Sequence, residues 1–166
     1  LTPKETIIKN AKQYPPERFN LLKDNLDSKA TVLEIGGDLG GNWVVLNPDI
    51  DLHYHILEIE KLVWYGKQIF PEIHWYTKIP TIENGVDMLY SRGGIQYLED
   101  ADNYISECIE KNSPKKIIIE HITFATVETF WSKQQFVTYR TKIIIPCCFK
   151  NFKEFDANIK NHGYKK

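Results

Sequence analysis

The chain reads as an α/β fold, a three-layer sandwich around a mostly parallel sheet, and three observations say so. Short apolar runs alternate with longer amphipathic stretches from residue 30 onward, the pattern of strands joined by covering helices. The first run, Thr31 to Ile35, breaks at once into Gly36, Gly37, Gly40 and Gly41. Such a turn lets the backbone approach a ligand that any Cβ would push away. The 166 residues contain no repeat, linker or low-complexity segment, which suits one domain with a substantial core. We expect a single domain over 1–166, with N-terminal helices in 1–28 ahead of the α/β core in 30–166.

The elements follow in order. Thr2-Pro3-Lys4-Glu5 is a capping box with proline at the first helical position, so a helix starts there and runs toward Gln13. Pro15 and Pro16 break it, and a second helix carries Phe19, Leu21, Leu22 and Leu26 up to Ser28. Val32, Leu33 and Ile35 suit a buried parallel strand over 30–35. The glycine loop then opens a short helix from Asn42 to Leu46, its free N–H groups facing the loop's space, stopped by Asn47-Pro48. A second strand is expected over 52–58, a helix over 59–70, a third strand over 73–76 and a fourth over 86–90. Residues 99–111 read as a helix with Tyr104, Ile105, Cys108 and Ile109 along one stripe. A fifth strand covers 116–120. Residues 152–161 form a last helix, with Gly163 as its stop.

The glycine loop narrows the ligand. A dinucleotide fingerprint needs a bare glycine at its second fixed position, and counting from Gly36 or Gly37 finds Asp38 or Leu39 there. No Gly-Lys-Ser/Thr follows, which excludes a P-loop. Glu34 and Asp38 would repel phosphates and suit a ligand with a cationic amino group and sugar hydroxyls. That describes S-adenosylmethionine better than NAD.

Residues 33–43, LEIGGDLGGNW, resemble motif I of the class I, Rossmann-like S-adenosylmethionine-dependent methyltransferases. They are most similar to a family of small methyltransferases associated with bacterial surface-polysaccharide genes. Residues 87–98, DMLYSRGGIQYL, resemble that family's second block. In residues 117–124, IIIEHITF, Glu120-His121 stands where the family tends to have Asp-Arg, and Ile122-Thr123 where it has Thr-Pro. The resemblance spans roughly 30–165. It implies a Rossmann-like sheet, S-adenosylmethionine as cofactor and a small acceptor, a sugar or polysaccharide-precursor oxygen. In that fold a pair such as Gly163-Tyr164 leads into two antiparallel strands completing a seven-stranded sheet. The chain begins at Leu1 and stops at Lys166, so either it is a trimmed portion of a longer protein or the sheet lacks its last antiparallel hairpin; we expect trimming, or disorder beyond Lys166. The fifth strand would then be an open edge needing cover.

Ligands of open α/β sheets sit at the carboxyl ends of the strands, where the strand order reverses. Glu58 ends the second strand 22 positions after Gly36, the spacing of a carboxylate that accepts from both ribose hydroxyls. A solvated strand-end carboxylate is the plain alternative. Tyr76 after the third strand is placed to flank an adenine, or simply to pack. Ser91, Arg92 and Gly93 after the fourth strand should line the donor end, with Gln96 and Tyr97 toward either substrate. Glu34, Gly36, Gly37, Asp38 and Gly40 complete the cofactor set. An oxygen acceptor needs a base near neutral pH, and His121 beside Glu120 is the best placed of five histidines. A structural role at the strand end is the alternative. Gln134 or Gln135, the latter preferred, and Tyr139 lie in an aromatic segment with Phe130, Trp131 and Phe136, an acceptor lid or plain packing.

Composition bounds the rest. Twenty-one basic against 22 acidic residues give no electrostatic case for nucleic acid or an anionic membrane. No apolar run approaches the ~20 residues of a membrane span, and no signal-peptide pattern opens the chain. Cys108, Cys147 and Cys148 lack metal-ligand spacing. We expect the adjacent pair to be small apolar residues with one facing in, no metal site, and a reducing cytoplasm. The partner expected is a small-molecule substrate, and self-association is left open. A catalytically silent Rossmann-like module is the second functional reading. A nicotinamide-dependent oxidoreductase, which Asp38 argues against, is the third.

Overall fold

A computed structural model of the chain describes residues 1–137 and 142–165. Five strands, β1 (Thr31–Ile35), β2 (His53–Leu57), β3 (His74–Tyr76), β4 (Met88–Arg92) and β5 (Lys116–Glu120), form an all-parallel sheet in the order β3-β2-β1-β4-β5. The order reverses between β1 and β4, which opens a crevice above their carboxyl ends.

Alternation along each strand divides the core into two layers. Val32, Tyr54, Ile56, Met88 and Tyr90 face one way, against α1 (Pro3–Ala11), α2 (Asn20–Lys23), α3 (Gly41–Leu46) and α4 (Glu60–Ile69). Leu33, Ile35, Leu57 and Leu89 face the other way, against α5 (Ala101–Asn112) and α6 (Phe152–Asn161). Both faces of β1, β2 and β4 are therefore covered. The capping box forms, with Thr2 Oγ1 accepting from the Glu5 N–H and Glu5 Oε2 from the Thr2 N–H.

Some elements differ from expectation. Phe19, Leu22 and Leu26 are buried at helical spacing, but the segment is a 3₁₀ turn (Pro16–Phe19) followed by the single α turn of α2. The Asn25 side chain donates to the Leu21 carbonyl, a local bond that competes with continuing the helix. The fourth strand runs over 88–92 rather than 86–90, because Ser91 and Arg92 stay in register with Ile119 and Glu120.

The larger departure is a second sheet, β6 (Phe124–Ala125), β7 (Phe130–Val137) and β8 (Lys142–Asn151), in the order β6-β8-β7. β7 and β8 form an antiparallel hairpin from Phe130↔Phe149 to Val137↔Lys142. Pro146 hides β8 from a sequence reading. It is tolerated because β6 pairs only Lys150 and Asn151, so at Pro146 the strand has a neighbour on one side only. Cys147 and Cys148 are both buried, not one of them. The hairpin does not extend the parallel sheet. Among the described residues β5 keeps an open edge, beside a trough of about 620 Å³ lined by Leu21, Phe124, Phe155 and Ile159. Among the described residues no helix is long and apolar enough to cross a membrane, and no group of three or more His, Cys, Asp or Glu is placed to hold a metal.

Candidate functional site

Two glycine turns meet at the switch point. Gly36, with φ +71°, follows β1, and a Cβ built on it would lie 3.1 Å from the Gly94 Cα. One built on Gly94 would lie 3.1 Å from the Ile35 carbonyl oxygen. Both contacts are tighter than side chains ordinarily tolerate, so the loops after β1 and β4 close on each other through bare backbone. Ser91 Oγ donates to the Ile35 carbonyl at 2.8 Å, which clamps the two strand ends. Ser91 is 1% exposed, so its hydroxyl serves the framework and does not face the crevice. Gly93, φ +68°, donates its N–H to the Glu120 carbonyl. Gly40, φ +80°, starts the six-residue α3.

Glu34 lies beneath the loop, 1% exposed. Its Oε1 accepts from Asn42 Nδ2 at 2.6 Å and its Oε2 from Tyr54 Oη at 2.9 Å. Burial pushes its pKa from 4.5 to about 7, with Glu58 and Asp38 adding to the rise against the two hydrogen bonds. A Cβ on Gly37 would stand 2.7 Å from Glu34 Oε2. This carboxyl is therefore a buried pin under the glycine turn. The alternation of β1 turns it toward Tyr54 and α3.

Glu58 is the carboxyl that meets the glycine turn from the end of β2. It is half-buried, with Oε1 accepting the Asp38 N–H at 3.1 Å and Oε2 the Ile59 N–H at 2.8 Å. Each oxygen retains acceptor capacity for a ligand hydroxyl. Burial raises its pKa and, as a smaller effect, so does Asp38. The Asp38 carboxyl is exposed at the loop, its backbone at φ +50°, and burial raises its pKa too. Tyr76 is turned back onto the sheet. Its hydroxyl lies 3.2 Å from His55 Nδ1 and its ring stacks on His55 at 5.8 Å.

Beyond β4 a charged chain closes the other side. Tyr90 Oη and Arg92 Nη1 both donate to Glu120 Oε2, at 2.8 and 3.1 Å. Arg92 Nη2 lies 2.7 Å from His121 Nε2. Guanidinium only donates, so Nε2 carries the lone pair and the ring proton sits on Nδ1. His121, held at φ +55°, is thus exposed with its Nε2 engaged by Arg92, and Glu120 is Arg92's counter-ion. Gln96 is buried beneath Gly93, its Oε1 without a hydrogen-bond partner. Tyr97 Oη donates to Gln134 Oε1 at 2.6 Å. Gln134 is therefore the glutamine that faces the site. Gln135, the one preferred from sequence, lies on the opposite face of β7 because strand side chains alternate. Tyr139 lies outside the described residues.

One side chain escaped the sequence reading. Arg18 leaves the 3₁₀ turn and stacks its guanidinium 3.7 Å over the Tyr14 ring. Its Nε is buried without a partner, and it makes no ion pair among the described residues. With Tyr14, Asn42, Arg92 and the glycine turn it lines a cavity of about 170 Å³. That is smaller than the ~300–1,000 Å³ of a drug-sized pocket, so it takes one end of a ligand, and a half-buried guanidinium with no ion pair among the described residues favours an anionic end. The proline break beside it was the available signal, but only the fold brings residue 18 to residue 36.

No protein-family model matches the chain, and no curated protein sequence does. Solved structures do. DesVI from Streptomyces venezuelae superposes with a TM-score of 0.64 at 9% identity, over 96% of this chain and 84% of that one. CalS10, an amino pentose methyltransferase from Micromonospora echinaspora solved with S-adenosylmethionine bound, gives 0.64 at 9% identity over 95% and 83%. The glycopeptide N-methyltransferase MtfA, complexed with S-adenosylhomocysteine, gives 0.59 at 9% identity over 90% and 78%. At these identities the likeness is one of fold: the chain has the Rossmann-like fold of S-adenosylmethionine-dependent methyltransferases.

Proposed function

We propose that this domain binds S-adenosylmethionine and transfers its methyl group to a small, sugar-linked acceptor. Carrying most weight is the pairing of a carboxyl with acceptor capacity to spare, Glu58, with a guanidinium that makes no ion pair among the described residues, Arg18, on either side of a glycine turn. Those groups match the two ends of the donor. Glu58 accepts the ribose hydroxyls, Arg18 pairs with the methionyl carboxylate, and the bare backbone of Gly36 and Gly37 lets the chain between them pass. The buried Gln96 Oε1 is an acceptor for the ammonium. Bound there, S-adenosylmethionine would supply an electrophilic methyl on a sulfonium. Alignment of donor and acceptor then supplies most of the rate. The sugar-linked acceptor follows the neighbours that act on an amino pentose and on a glycopeptide, an analogy of fold.

One observation favours the second reading, a module that binds without turnover. Arg92 holds the His121 nitrogen that a base would use, and Glu120 is held by Tyr90 and Arg92. An oxygen acceptor would need His121 released from Arg92, whereas an amine acceptor arriving deprotonated needs no base. Calorimetry with S-adenosylmethionine, S-adenosylhomocysteine and NAD tests the donor half. Binding of the adenosyl ligands that is lost in Glu58→Ala supports it, and no adenosyl binding refutes it. Methylation of amino-sugar or hydroxyl acceptors, read by mass, separates the enzyme from the silent module.

A further inference from the structure

S-Adenosylmethionine and S-adenosylhomocysteine differ by one charge, a sulfonium in the first and a neutral thioether in the second. The inference that follows rests on the donor reading above, with ribose at Glu58 and the methionyl carboxylate at Arg18. The sulfur lies between those two ends, over Gly36 and Gly37, and the Glu34 carboxyl lies beneath that stretch. A Cβ on Gly37 would stand 2.7 Å from Glu34 Oε2, so a single glycine separates the carboxyl from the space above the turn. Asn42, whose Nδ2 donates to Glu34 Oε1, lines the same cavity as Gly36 and Gly37. Glu34 is 1% exposed, so a charge over the turn reaches it through protein and not through water. At an effective dielectric of ~20, opposite unit charges roughly 7 Å apart favour each other by about ten- to fiftyfold.

The surroundings let Glu34 exist in both forms. Burial disfavours the anion and brings the pKa to about 7. Asn42 Nδ2 and Tyr54 Oη are nevertheless already aimed at its two oxygens, so the anion needs no rearrangement. β2 brings Tyr54 and, at its end, Glu58; β4 brings Tyr90, and the loop brings Asp38. Burial pushes both phenols up, so they stay neutral near pH 7. α1, α2, α3 and α4 turn Ala11, Leu22, Val44 and Val63 to this side of the sheet, and Arg18 and Arg92 line the cavity beyond. We propose that Glu34 sets a preference for the cationic donor over its spent form, yielding its proton to solvent while a sulfonium lies over Gly37 and taking it back when the sulfur is neutral. Asp38 and Glu58 also have raised pKa values, but they meet the same ribose and amino-acid ends in both ligands.

Calorimetry on the whole chain between pH 5 and 7, in buffers of different ionisation heat, counts the protons. The ligands' own amines stay charged in that window. At pH 6 S-adenosylmethionine should release roughly half a proton more than S-adenosylhomocysteine. The ratio of their affinities should rise about five- to twentyfold from pH 5 to 7. Glu34→Gln should flatten that ratio and remove the difference in protons. Glutamine offers one oxygen where Glu34 uses two, so circular dichroism must confirm the fold. Infrared difference spectra of the wild type supply a measurement without the variant: S-adenosylmethionine should remove the C=O band of a protonated carboxyl, and S-adenosylhomocysteine should leave it. Binding of both ligands with equal proton counts, or an unchanged infrared band, overturns the proposal and leaves the donor reading standing. A difference that persists in folded Glu34→Gln also overturns it, by assigning the proton to Asp38 or Glu58. Binding of neither ligand refutes the donor reading, and this proposal with it.

Discussion

The two sheets are made from the same kind of residue and treat it in opposite ways. Val32, Leu33, Ile35, Ile56, Leu57, Met88 and Leu89 in the parallel sheet are at most 3% exposed, whereas Phe130, Trp131, Phe136, Val137, Ile143 and Ile144 in the hairpin are at least 42% exposed. The difference lies in what covers each strand. Helices lie on both faces of β1, β2 and β4. The hairpin rests on the domain near Cys147, Cys148 and Lys150, and runs out from it toward Val137. The groups proposed to hold the donor thus stand on a scaffold whose strands are covered on both faces. The hairpin that reaches Tyr97 through Gln134 leaves its apolar side chains exposed.

The largest expected effect tests that contrast directly. Leu33→Ala should cost about 3–4 kcal/mol, the range for a fully buried leucine, while Ile144→Ala should stay within about 0.5 kcal/mol in the monomer. Urea titration measures both, and equal losses would break the comparison.

The next effect comes from two buried groups of the parallel sheet whose pKa shifts act on stability with opposite sign. His55 has its pKa lowered from 6.5 to about 4, first by burial and then by His74 and His53. The unfolded chain therefore binds more protons between pH 4 and 6.5, and this histidine makes stability rise with pH across that window. Glu34, raised from 4.5 to about 7, holds its proton in the folded state, so its contribution falls as pH rises from 4.5 to 7. Each is worth at most about 3 kcal/mol, and over pH 4.5–6.5 they oppose each other. The wild-type melting temperature should be nearly flat there. Glu34→Gln should uncover a rise with pH and His55→Gln a fall; parallel profiles for the two variants would refute the assignment.

Smaller effects sharpen the donor site. Glu58→Ala should weaken S-adenosylhomocysteine by roughly ten- to a hundredfold, as the loss of hydrogen bonds to a charged acceptor implies, without changing the melting temperature by more than a few degrees. Arg18→Met should weaken S-adenosylhomocysteine about tenfold and leave methylthioadenosine, which lacks the amino-acid end, unaffected. An equal loss for both ligands would make Arg18 a packing residue.

Much of this was legible in the chain. The strand-to-glycine break at residues 35–36, the carboxyl at 58 and the alternation of runs are local signals, and four of the five parallel strands and α6 lie where those signals put them, the fourth strand two residues further on. The hairpin was hidden because Pro146 argues against a paired strand and only the reach of β6 makes it harmless. Glu34 looked like a crevice carboxyl because adjacency to the glycines says nothing about which face of β1 it takes. Gln134 and Gln135 are one residue apart, and a one-residue difference in a strand reverses the face.

By itself the sequence determined which segments are strands of a buried sheet, where the backbone must turn without side chains, and which carboxyl ends the second strand. Those properties depend on periods of two and 3.6 residues and on the missing Cβ of glycine, all of them local. Tertiary structure alone decided that Arg18 meets the glycine turn, that Glu34 is a pin under it, that Arg92 occupies His121, and that β7 has, among the described residues, an open edge. Each of these joins residues far apart in the chain, and burial, charge pairing and edge exposure arise only when the layers are in place.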